Sequence, residues 1–195
     1  MANECPKRIV KIFFLCILAA GANYVVSTLV LKVPLFLDTL FSAAVCFTVG
    51  FWPALLTALL TQAATCIREN SITPFLFIFC CIAELLLIVK LNPAKSRTPL
   101  SLAGIFAGLL LLYIASCIVI SVLGGVIDFI YHHVMANSKL YFSPEDTFKI
   151  SLSLIGIPAL AMDILSRIPV NIVDRFIVIF GGFYISRGLS RFFND

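Results

Sequence analysis

Charge is what this chain has least of. Asp, Glu, Lys and Arg make up 12% of its 195 residues, about half the roughly 25% usual in soluble domains. Hydrophobic residues reach 61%, and the mean hydropathy is +1.08. That scarcity excludes an ordinary soluble domain, and it excludes disorder, which needs few apolar residues and much charge. The 10 Gly and 9 Pro follow no period, so a collagen-like or repeat architecture is excluded too. Catalytic signatures are also missing: there is no HExxH, no GxSxG and no GxxxxGK followed by Ser or Thr. The chain is not expected to be an enzyme, and without a phosphate loop any uphill work would draw its energy from a partner. The seven cysteines include no CxxC, and Cys16, Cys46, Cys66, Cys80, Cys81 and Cys117 lie inside apolar runs. They are expected to be small packing residues. The adjacent His132 and His133 point to different sides of any helix or strand. No metal or cofactor is expected.

What is present are long uncharged runs. Residues 12–31 hold no charge over 20 positions, about 30 Å of helix at 1.5 Å per residue, one hydrocarbon thickness. A second run, residues 39–67, is interrupted by Gly50-Phe51-Trp52-Pro53 and can form either one kinked helix or a hairpin. The hairpin places Lys7, Arg8, Lys11, Lys90, Lys95, Arg97, Arg187 and Arg191 on one side, against Lys32, Arg68, Lys139 and Lys149 on the other. The kinked helix divides the charges evenly, so the positive-inside rule favours the hairpin. The expectation is an all-α integral membrane protein, a six-transmembrane-helix bundle with cytoplasmic N- and C-termini. Its single domain spans 1–195, with helices at about 9–31, 35–50, 53–67, 74–90, 100–127 and 169–187. An external loop covers 128–149, and a short interfacial or re-entrant helix covers 150–166. Pro169 is placed in the first turn of the last helix. The net charge of +4 comes from scattered residues, which suits topology and anionic lipid, not nucleic acid.

Charges inside such runs cost about 2.5–3.5 kcal/mol each on insertion and call for a partner or a purpose. Asp38 fits both a cap on the second helix, favoured by the helix dipole, and a ligand contact. Arg68, Glu69 and Asn70 close the third helix as either a solvated turn or a ligand contact. Glu84 calls for neutralisation, a basic partner or a substrate. Asn171, Asp174 and Arg175 fall on one helical face through i,i+3 and i,i+4 spacing, and they fit an internal ion pair as well as a binding site. A pocket for a small molecule needs apolar and aromatic walls with few polar groups, and Tyr131 is a candidate wall.

The order of these features resembles the substrate-binding S components of energy-coupling factor (ECF) vitamin transporters. The resemblance rests on LFLDTLFSAAVCFTVGFWPALLTALLTQ and on a last span opening IPVNIVDRFIVIFGGFYISR. It sets Asp38 at the start of helix two, a Gly-to-Pro turn at Gly50–Pro53, and Pro169-Val170-Asn171 at the start of helix six. It implies a subunit of a bacterial or archaeal cell membrane that captures a vitamin or related micronutrient from outside. A transmembrane T subunit and two cytoplasmic ATPases would energise delivery. Cys16, Ala19 and Ala20 on helix one would form the small-residue surface facing the T subunit. The alternative is a non-transporting membrane scaffold or sensor module.

Overall fold

The computed structural model describes residues 4–29, 35–95, 101–134 and 146–194. Among these residues every regular element is a helix. In chain order they are α1 (Glu4–Leu29), α2 (Leu40–Thr48), α3 (Phe51–Glu69), α4 (Thr73–Leu76), α5 (Ile78–Leu91), α6 (Leu102–Phe129), α7 (Asp146–Ser153), α8 (Ala159–Phe176) and α9 (Gly182–Asn194). Segments of π-helix extend α6 over Ile130–Val134 and join α8 to α9 over Ile177–Gly181. Four stretches are long and apolar enough to cross a membrane: Arg8–Leu29, Thr73–Leu91, Leu102–His132 and Ala159–Arg191.

Between the first and second of these lies the α2–α3 hairpin. Gly50 turns it with φ +116°, a backbone conformation that L side chains rarely adopt. At nine residues α2 is only about 13.5 Å long, too short to cross a bilayer alone. The 19-residue α3 is long enough but carries Thr57, Thr61, Gln62 and Thr65. The three threonines lie four residues apart and each donates its hydroxyl to the carbonyl one turn back, onto Pro53, Thr57 and Thr61. That back-bonding satisfies polar groups in an apolar setting.

Side-chain contacts fix the directions of the helices. Cys16 meets Pro53, Asn23 meets Thr61 and Thr28 meets Arg68, so α1 and α3 run parallel, with α2 returning between them. Tyr113 meets Ile172 while Asp128 meets Arg167, so α6 and α8 run antiparallel. Gly124 and Gly125 permit that pair to close. A Cβ on Gly125 would sit 2.6 Å from the Ile164 Cα, and one on Gly124 would sit 2.7 Å from the Arg167 guanidinium. The core gathers around α2, where Ala43, Val45 and Cys46 pack with Leu85, Ile88, Leu112, Val178 and Ile179. Outward faces are as apolar as the inside, with Phe13, Phe14, Leu18, Phe79, Phe106 and Ile118 all exposed. Lipid, not water, suits such a surface.

Several boundaries differ from the sequence expectation. Pro169 does not open the last helix; it lies inside α8, which starts ten residues earlier. The flanks of the proline are held on α6 by Arg167–Asp128 and Asn171–Ser121, so the backbone bond lost at Pro169 does not end the helix. The segment expected as one helix over 150–166 is divided, since α7 ends at Ser153 and Gly156, at φ +78°, turns the chain toward α8. Much of the expected 128–149 loop is helical, in the end of α6, its π extension and the start of α7. Residues 135–145 lie outside the described residues. The helix expected over 35–50 begins only at Leu40, leaving 35–39 without helical structure.

Candidate functional site

The site begins with a backbone problem. Residues 35–39 are non-helical, yet Leu37 and Thr39 are buried, and Leu37 is left-handed at φ +43°. Unpaired backbone N–H groups at such a place are costly unless a protein group receives them. The Asp174 carboxylate, fully buried on α8, does so: its Oδ1 accepts from the N–H of Leu37 at 2.9 Å and of Phe36 at 3.2 Å. Its other oxygen accepts from the neighbouring Arg175 guanidinium through Nε at 3.0 Å and through Nη2. Arg175 Nη1 then donates to Glu84 Oε2 on α5 at 2.6 Å and to the Thr39 hydroxyl at 3.3 Å. One guanidinium thus joins α8, α5 and the segment entering α2. The flat fork of arginine, with its five donors, is the side chain able to do this. Glu84 and Arg175 are 1% and 4% exposed.

Asp38 belongs to the same place but does not cap α2. The cap position is Thr39, without a side-chain cap bond, while Asp38 Oδ2 accepts from the Gln62 amide of α3 at 2.9 Å. The local reason is direction, since the left-handed Leu37 turns the chain just before Asp38. Asn171 does not pair with Asp174 or Arg175 as its spacing suggests. Its side-chain amide donates to Ser121 on α6 at 2.9 Å, and its backbone carbonyl accepts from the Cys117 thiol.

A second charged layer lies nearer the start of α8. Asp128 at the end of α6 receives Arg167 bidentately at 2.7 and 2.9 Å, and Lys149 of α7 reaches both Asp128 at 3.4 Å and Asp163 at 3.1 Å. The Arg167 guanidinium stands over the rings of Phe77 and Phe36, 4.9 and 5.5 Å from their centroids. Phe36 therefore connects this layer to the non-helical segment below it.

The remaining expected residues go elsewhere. Arg68 donates to Thr28 at 2.8 Å and to Glu69 at 2.9 Å and lies over the Tyr24 ring, tying α3 to α1. Asn70 terminates α3 in the left-handed conformation at φ 47°. Tyr131 is buried in the π segment, edge-on to His132. Cys16, Ala19 and Ala20 do not form an outward surface. They are 0%, 5% and 7% exposed, and Cys16 donates to the Pro53 carbonyl. Small side chains at these positions let α1 sit against α3, so close packing is used within the chain.

Sequence reasoning did not select Asn23, which is fully buried; its amide donates to Ser42 and Thr61 and its oxygen accepts from the Phe41 N–H. An asparagine within an uncharged run was the available signal. Gln62, Asp128, Lys149 and Asp163 were likewise legible only as isolated polar residues, because their partners are distant in the chain. Among the described residues no group of three His, Cys, Asp or Glu converges as a metal site.

The fold and site define an all-helical protein of membrane character with charged networks buried between its helices. No family model, curated protein or solved structure matches the chain.

Proposed function

We propose that this chain is the substrate-capture subunit of an ECF-type importer of a bacterial or archaeal cell membrane, taking up a vitamin or related micronutrient. It would deliver its cargo with a T subunit and two ATPases. The observation that carries the reading is the non-helical 35–39 segment held among the helices by Asp174 and Arg175. Broken backbone at membrane depth is tolerated where protein or a water-filled cavity surrounds it, and half-helices of this kind line transport sites. Ionisable side chains in spanning helices are costly and mark sites of function. The uneven division of charge, eight Lys and Arg against four, supports six crossings, with the nine-residue α2 completing its crossing through the non-helical 35–39 segment in locally thin bilayer.

The test is native mass spectrometry of detergent-purified protein, with a denatured extract run in parallel. The expected result is one stoichiometric vitamin-like compound. Empty protein that shows no thermal shift across a vitamin panel would turn the assignment to a membrane scaffold or sensor.

A further inference from the structure

Carboxylates outnumber the cations bonded to them around Arg175. Glu84, Asp174 and Asp38 are three carboxylates, and among the described residues the one cation bonded to this group is Arg175. In the adjacent layer Arg167 and Lys149 are bonded to Asp128 and Asp163. A second observation concerns Glu84 itself. Its Oε2 is bonded to Arg175, but its Oε1 is buried with no hydrogen-bond donor, and a buried carboxylate oxygen without a donor is expensive. Ser116 Oγ on α6 is also buried without a partner. The backbone beside the site is held in a left-handed non-glycine conformation at Leu37, and such strain clusters at ligand clamps.

Resting on the capture reading, we infer that the substrate carries a positive charge, on a quaternary or protonated nitrogen, and that Glu84 with Asp38 receives it. The three carboxylates form no metal cage, as no group of three acidic, His or Cys side chains converges among the described residues. A delocalised organic cation is weakly hydrated and asks for charge without tight coordination geometry.

The experiment identifies the co-purified compound and measures thermal shifts of the purified protein with thiamine, riboflavin and biotin as cationic, neutral and anionic probes. The expected result is a cationic compound, or stabilisation confined to the cationic probe, with at least a tenfold loss of affinity in Glu84→Gln. Should Glu84→Gln fail to give monodisperse protein, Asp38→Asn, which is partly exposed and bonded to Gln62, supplies the same readout. A neutral or anionic bound compound overturns the charge inference and leaves capture standing. A cationic ligand whose affinity is unchanged in both variants overturns the assignment to Glu84 and Asp38. Protein that binds none of these and carries no compound overturns capture and this inference together.

Discussion

At the scale of single residues, Arg175 has the most to lose. It satisfies Asp174, Glu84 and Thr39 at once, and removing it leaves two carboxylates buried beside one another. Breaking a buried pair by deleting one partner costs about 3–5 kcal/mol. Arg175→Met is therefore expected to lower unfolding stability in detergent by that order, measured by thermal or denaturant unfolding. Arg175→Lys is expected to recover less than half of the loss, since one ammonium cannot make the bidentate contact to Asp174 and also reach Glu84. Sequence spacing set Asp174 and Arg175 on one helical face, where they bond each other, but gave Asn171 the wrong partner. An i,i+3 pattern ranks neighbours on one helix, and Ser121 lies 50 residues away on another.

At the scale of helices, contact between α6 and α8 depends on the glycine pair. A Cβ at Gly125 would meet backbone and side chain of Ile164 within 2.7 Å, whereas one at Gly21 meets nothing within 4 Å. Gly125→Ala is expected to cost about 1–3 kcal/mol through overpacking. Gly21→Ala is expected to be neutral or stabilising by up to about 1 kcal/mol, since alanine favours a helix interior. Comparing unfolding midpoints of the two variants checks the contrast. The short α7 depends on charge in a similar way, with Lys149 reaching across to Asp128 of α6 and Asp163 of α8. Its apolar residues Phe148 and Ile150 are exposed, so little packing holds it. Lys149→Met is expected to raise amide exchange over 146–153 severalfold while α8 keeps its protection, read by hydrogen–deuterium exchange.

At the scale of the whole molecule, the depth of the α2–α3 turn separates six crossings from four. Trp52 is the chain's one tryptophan, lies beside that turn and is 76% exposed. It faces a groove of about 270 Å³ lined by Ile9, Ile12, Phe13 and Cys16 of α1 and by Pro53 and Leu56 of α3, toward the α1 end that carries Arg8 and Lys11. Tryptophan favours the headgroup level. In vesicles its fluorescence is expected to be quenched more strongly by lipids labelled near the headgroup than by those labelled near the acyl-chain end. Stronger quenching by the deep label would make the hairpin re-entrant and reduce the crossings to four.

The sequence by itself determined the helical class and the membrane character, because each follows from local quantities, hydropathy over 20 residues and scarcity of charge; it marked the break at Gly50–Pro53, which the distribution of Lys and Arg along the chain read as a hairpin. It also marked Asp38, Glu84, Asp174 and Arg175 as residues needing a reason in an apolar chain. Their partners were decided by the tertiary structure alone. The backbone of 35–39 depends on a carboxylate about 137 residues away, Lys149 binds two helices, and Pro169 stays within α8 because its flanks are anchored to α6. The small residues of α1 turn inward for the same reason. Local pattern records that a group must be buried or satisfied, whereas the group that satisfies it is fixed only when distant helices come together.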